Sequence, residues 1–148
     1  MDCWRKEKSG FTYLKLINIM SRINYSSGTV WEDIVGYSRA VKVGNIIEVT
    51  GTVAVDENNK AIGIGDAYLQ TRFILEKIEK ILIEAGASMQ HVVRTRMFVT
   101  DISSWQRYGK AHSEFFAQIR PCTSMIEVKG LISPDYLVEI EATAILNE

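Results

Sequence analysis

The order of periodic segments predicts an α+β domain, reading strand, strand, helix, strand, helix, strand, strand, with two helices on one face of a mixed sheet. Three observations carry this reading. Two stretches repeat apolar residues at helical spacing, others alternate or run in β-branched residues, and turn residues separate them. The first strand is Tyr37–Val43, with Tyr37, Arg39, Val41 and Val43 on one side and Ser38, Ala40 and Lys42 on the other. Gly44-Asn45 then makes a two-residue turn into Ile46–Val55, a second strand, and Asp56–Lys60 forms a polar loop. Asp66 can cap the clearest helix, whose face is Ala67, Thr71, Ile74, Leu75, Ile78, Leu82 and Ala85, and Gly86 supplies its stop. Val92–Thr100 alternates again as a strand. Ser103 and Gln106 form a capping box for a second helix with Tyr108, Ala111, His112, Phe115 and Phe116 on its face, ended by Pro121. Ser124–Val128 and Leu137–Leu146 close the sheet.

Two helices cover only one face of such a sheet. Val41, Val49, Val53, Met97, Val99, Ile126, Val138 and Ile140 supply apolar side chains for both faces, so self-association is the simplest way to bury the other.

The chain has 148 residues, 47% of them hydrophobic, enough to bury a core of its own. Its 17 basic and 18 acidic residues balance, which disfavours a nucleic-acid arm or a polybasic anchor. Apolar runs all fall short of the ~20 residues a membrane helix needs. Cys3 and Cys122 stand far apart, and His91 and His112 are the only histidines, so neither a disulfide framework nor a zinc site is expected. Reduced thiols and a cytoplasmic location follow as defaults. Residues 1–20 lack a clear period, hold four basic and two acidic side chains, and end in a second methionine, Met20. They read as an N-terminal extension to a domain over 21–148, the alternative being a short element at Phe11–Ile19 that packs on it. Without them the formal charge moves from -1 to -3.

Several chemistries lack their residues. Gly63-Ile64-Gly65 precedes a helix but completes no phosphate-binding motif, and no nucleophile elbow is present. His112 reads as a satisfied, half-buried histidine and Cys122 as a buried, inert thiol. The informative residues are charges within apolar strands: Arg94 and Arg96 in one, Glu127 in another, Glu139 and Glu141 in LVEIEATAIL. Cross-strand ion pairing is one account. The other is a carboxylate raised in pKa beside an apolar strand and used as a general acid or base.

The run Gly36-Tyr37-Ser38-Arg39-Ala40-Val41, with Gly44-Asn45 and Val49-Thr50-Gly51-Thr52, resembles the opening hairpin of the YjgF/RidA family. Ala85–Ser88 with Val92–Thr95 and Phe98–Asp101 resembles its middle, and Pro121, Ser124, Glu127-Val128 and Val138–Ala142 resemble its end, so the likeness spans about residues 30–148. The resemblance implies a chorismate-mutase-like fold, a homotrimer with ligand clefts between subunits, and hydrolysis of enamines or imines such as 2-aminoacrylate without metal or organic cofactor. Older labels for the family are translation inhibitor and endoribonuclease.

The resemblance also assigns roles. Glu139 is the water-handling carboxylate, Tyr37 the hairpin tyrosine, and Thr50-Gly51 the strand-end backbone that meets substrate. Where the deaminases read Pro-x-Arg-Ser, this chain has Pro121-Cys122-Thr123-Ser124, and Met125 stands where cysteine is frequent. Exchanging a charged fork for one hydroxyl should remove roughly 2–5 kcal/mol of carboxylate binding. Arg120 or Arg39 are the candidates to replace it. Trp31, in a Trp-Glu pair like that of an arginine-lacking branch, either walls the pocket or staples the start of the domain to its core. The leading expectation is a small-metabolite protein acting on an imine, enamine or carbonyl compound. A non-catalytic ligand-binding or chaperone-like module is the alternative, and RNA cleavage ranks last because Arg94, Arg96 and Arg107 form no basic stripe.

Overall fold

The computed structural model describes residues 21–147, so the expectations for residues 1–20 lie outside the described residues. The elements run β1 (Arg22–Tyr25), α1 (Val30–Val35), β2 (Ala40–Val43), β3 (Ile46–Val53), α2 (Ala67–Glu84), β4 (Val92–Val99), α3 (Trp105–Phe116), β5 (Cys122–Glu127) and β6 (Val138–Ile145). The six strands of the described residues make one sheet in the order β1-β2-β3-β6-β4-β5. Only β4 and β5 run parallel, as their connection through α3 requires. This is the α+β arrangement the periodicities predict, preceded by two short elements, β1 and α1, that they do not reveal.

Alternation decides which face of the sheet is core. On β6, Val138, Ile140, Ala142 and Ala144 are buried, while Glu139, Glu141 and Thr143 point to the other side. Val92, Thr95, Met97 and Val99 of β4 and Ile47 and Val49 of β3 complete the buried layer. Against it lies α2, which also packs on α3. All seven residues of the expected α2 face are buried, and each fully enclosed Ile or Leu contributes roughly 1.5–3 kcal/mol. The Asp66 carboxylate accepts from Tyr68 N and Leu69 N, and Gly86 takes φ 80 after the last turn.

In β2 the core residue is the small Ala40, and Val41 faces the opposite side against Glu48. The strand starts at Ala40, later than the pattern places it, because Tyr37 and Ser38 follow the left-handed turn at Gly36. The capping box expected at Ser103 and Gln106 is not formed. Asp101 caps instead, its carboxylate accepting from Ser103 N, Ser103 Oγ and Ser104 Oγ, because an ionised acceptor outcompetes a hydroxyl. A one-turn helix at Ile102–Ser104 results, and α3 follows directly.

The second face of the sheet has no helix over it among the described residues. It carries Glu48, Arg94, Arg96, Phe98, Glu139, Glu141 and Thr143, with Val43, Ile46 and Ile145 exposed at one end. No helix of the described residues is long and apolar enough to cross a membrane.

Candidate functional site

The irregular pairing of β3 with β6 builds the site. The register slips between Val49 and Thr52, and beyond the slip Val53 pairs with Glu139. Such a bulge bends the strand and re-aims its residues. It presses the Glu139 side chain against Gly51 so closely that a Cβ at position 51 would overlap the carboxylate. Gly51 has no left-handed φ, so it is glycine for close approach and not for backbone freedom. Gly51, with Thr50 just before it, thus stands beside Glu139.

Burial pushes the Glu139 carboxyl above the usual range, the neighbouring Glu141 pushes it further, and Arg39 draws it back in part. Glu139 makes no ion pair or hydrogen bond among the described residues. Glu141 does: its carboxylate meets Arg96 at 3.0 Å. Cross-strand pairing therefore accounts for Glu141 and leaves Glu139 to some other purpose. The Glu48 carboxylate accepts from Thr143 Oγ1 at 2.8 Å, and Arg94 and Arg96 line the same shallow depression.

Arg39 is the frame of this corner. Its guanidinium donates to Gly51 O at 3.2 Å, to Thr52 Oγ1 at 3.1 Å and to Tyr37 Oη at 3.3 Å. It also lies 5.7 Å from the Tyr37 ring centroid. Tyr37, Arg39, Thr50, Gly51 and Glu139 are brought together within one chain. Behind them, Glu32 is buried. Its burial alone would raise the carboxyl, but Ser26 Oγ, Ser27 Oγ and Ser27 N donate to it and hold it below the usual range. The Glu32 backbone carbonyl accepts from Gly36 N and Tyr37 N, so one residue ties α1 to the site's tyrosine. Trp31, next to it, is about half exposed (48%).

The remaining predicted residues lie elsewhere. Thr123 and Met125 are on β5, the sheet edge, opposite Thr95 and Met97, whose side chains face the helices. Glu139 faces the other way. Arg120 takes φ 54 at the turn into β5, and its Nε donates to Ala117 O. A single chain does not join these three to Glu139. Cys122, expected to be buried, is exposed, because it opens the edge strand β5.

One positioning residue escaped the sequence reading. Gln70, fully buried on α2, donates to Asp135 O at 2.7 Å and accepts from Leu137 N at 2.8 Å, fixing the loop that delivers β6. A glutamine beside Thr71, adjoining the apolar face of α2, was the signal. Among the described residues no group of three or more metal-ligating side chains occurs.

The sequence model of the Endoribonuclease L-PSP family matches residues 29–146. The chain belongs to this family. Rv2704 of Mycobacterium tuberculosis, a member of the highly conserved YjgF/YER057c/UK114 family, is 48% identical, with a TM-score of 0.77 over 85% of this chain and 100% of its own. The 3-aminoacrylate deaminase RutC of Acinetobacter baylyi is 38% identical over 108 residues, 73% of this chain and 85% of its own length. A RutC family protein of Pyrococcus abyssi is 38% identical over 73% of this chain and 84% of its own. The YjgF/RidA resemblance read from the hairpin and the closing strand is thereby established, and with it the α+β fold.

Proposed function

We propose that this RidA-like protein binds a small metabolite in clefts between copies of the chain and hydrolyses an imine, enamine or related carbonyl compound there. The observation that carries the reading is Glu139: a desolvated carboxyl of raised pKa, unpaired, on the uncovered face and wedged against a glycine backbone. A carboxyl in that state holds its proton to higher pH than an ordinary carboxylate, which suits it to act as a general acid and base.

In the proposed reaction Glu139 protonates the enamine carbon, giving the iminium. Water adds to the iminium carbon, forming a C–O bond, and returns a proton to the carboxylate. That proton passes to nitrogen, the C–N bond breaks as the hydroxyl becomes the carbonyl, and the hydroxyl proton returns to Glu139 as ammonia leaves. Tyr37 and the Thr50-Gly51 backbone orient the reacting atoms, and Trp31 walls the pocket. No metal or organic cofactor enters. Thr123, Met125 and Arg120 join the cleft from the β5 edge of a second copy in a homotrimer, the assembly that would also cover the open face.

Because a hydroxyl stands at position 123, the 2-aminoacrylate carboxylate loses a charged fork, and Arg39 already spends three donors on Gly51, Thr52 and Tyr37. Turnover of 2-aminoacrylate should therefore be slow. RNA cleavage is disfavoured, since Arg96 and Arg107 are paired with Glu141 and Asp66 and the open face carries three carboxylates.

The test is release of ammonia from enzymatically generated 2-aminoacrylate, from 3-aminoacrylate and from uncharged imines. Uncharged imines should turn over fastest, and Glu139→Gln should abolish the rate. Turnover that survives Glu139→Gln refutes the acid–base role. Ligand-induced thermal shifts without product from any substrate would establish the binding-module alternative.

A further inference from the structure

Neither the Glu139 site nor the apolar packing accounts for His112. The residue sits on α3 with its ring 4.5 Å from that of Phe116. Its Nε2 lies 2.9 Å from Thr95 Oγ1, on a residue that is fully buried. Thr95 Oγ1 lies 2.9 Å from Thr123 Oγ1, because the parallel register sets Thr95 opposite Thr123. Thr123 is exposed on the edge strand, and its hydroxyl donates to Pro121 O at 3.2 Å. The three side chains form one line from the interior to the surface.

Proton counting gives that line a direction. Each hydroxyl has one proton. Thr123 gives its own to Pro121 O, so its oxygen accepts from Thr95. Thr95 has then spent its proton and accepts from Nε2–H of His112. The line runs outward and ends in a donor at the sheet edge, 3.2 Å from a backbone carbonyl that a ligand oxygen can replace.

We propose that Thr123 is the ligand-holding donor for an uncharged carbonyl or amide oxygen, and that Thr95 and His112 are positioning residues that aim its proton. The choice of an uncharged group follows from the surroundings. The line carries no formal charge, Arg120 turns its Nε onto Ala117 O, and Arg39 is occupied on the other face of the sheet. A carboxylate brought here would lose its hydration and meet one neutral hydroxyl beside a carbonyl oxygen. An amide or ketone loses far less water and gains the same hydrogen bond.

This inference rests on the reading that the β5 edge lines the cleft, and it names the substrate class of that cleft. The experiment titrates the 15N-labelled full-length protein with pyruvamide and, separately, with pyruvate. Pyruvamide should shift the Thr123 and Ser124 amides and bind about tenfold more tightly than pyruvate. Thr123→Val, Thr95→Val and His112→Phe should each weaken pyruvamide about five- to tenfold, the weight of one ordinary hydrogen bond. Thr95→Val added to Thr123→Val should cost nothing more, because the proton line is already cut. Thr123→Ser should restore binding. Three outcomes overturn the proposal: pyruvate binding as tightly as pyruvamide, no shift at Thr123 with either probe, or loss on Thr123→Val alone with Thr95→Val and His112→Phe unaffected. Thr123→Val lies on the surface and decides the matter even where a buried variant fails to fold. Ammonia release that survives Glu139→Gln, or none from any substrate with the wild-type protein, would refute the Glu139 chemistry and, with intact pyruvamide binding, leave this proposal standing.

Discussion

Acid should destabilise this protein through His112. Burial against Phe116 and Thr95 holds the imidazole at about 4 in the folded chain, against 6.5 for an ordinary histidine. Between those values the unfolded chain binds a proton that the folded chain refuses, so stability is full above the upper value and drains as pH falls toward the lower. The whole interval corresponds to at most about 3 kcal/mol, at about 1.4 kcal/mol per pKa unit. Solvent reaches part of the ring, and screening brings the expected loss down to about 1–2 kcal/mol. The assay is urea unfolding of wild type and His112→Phe at pH 7 and again near pH 4.5. Phenylalanine keeps the ring against Phe116 and removes the titrating nitrogens. Other groups move as well: Glu139, raised, adds stability as pH falls, while Glu32 and Asp101, lowered, take it away. They are common to both proteins and cancel in the difference. Wild type should therefore lose about 1–2 kcal/mol more than the variant across that interval. Parallel pH profiles, or a steeper loss in the variant, would refute the claim that the imidazole is held neutral by burial.

Gly51→Ala should drive the Glu139 carboxylate off its seat, because the added methyl occupies the same space. Ammonia release should collapse, yet Gly51→Ala introduced into a Glu139→Ala background should leave the melting temperature unchanged, and a further drop there would show backbone strain to be the cause. Gln70→Leu should cost about 2–4 kcal/mol in urea unfolding, since Asp135 O and Leu137 N lose their buried partners together. Hydrogen exchange at the Leu137 amide should accelerate in the same variant, while exchange within β4 stays slow.

The elements legible in the sequence are those whose periodicity reports burial. The α2 face, the β2–β3 hairpin and β6 all alternate between core and solvent, and the structure shows them there, with β2 shortened to begin at Ala40 and β3 to end at Val53. β1 and α1 did not register for the converse reason. Arg22–Tyr25 is a four-residue edge strand with almost no buried side chain, and α1 leaves Val30, Trp31, Ile34 and Val35 largely exposed. Nothing local announces such elements, because the side chains that fix them, Glu32 with Ser26 and Ser27, act across a loop. The site divides in the same way. Glu139 was legible as a charge stranded among apolar neighbours. Its contact with Gly51 was not, since it depends on a register slip between Val49 and Thr52 that no alternation encodes.

Opposite faces of the sheet carry the two halves of the proposed chemistry, and that separation is itself an argument for assembly. Glu139 sits on β6, near the centre of the sheet, and points away from the helices, whereas Thr123 sits on β5 at the edge and points toward them. No rotamer of either side chain closes that distance within one copy, because β4 stands between the two strands. An edge strand and an uncovered face are also the two surfaces that a lone chain leaves unsatisfied, the first in backbone hydrogen bonds and the second in apolar area. Setting the edge of one copy against the face of the next covers apolar area and brings an outward-pointing donor line to a desolvated acid. A Glu139→Gln chain, inactive alone, and a Thr123→Val chain, active only with weakened binding, should then give clefts of wild-type affinity when unfolded and refolded together, about a quarter of all clefts for random mixing of equal amounts in a ring where each cleft draws on two copies. Failure to find any clefts of wild-type affinity, with mixed oligomers present by native mass spectrometry, would place Thr123 and Glu139 in separate sites.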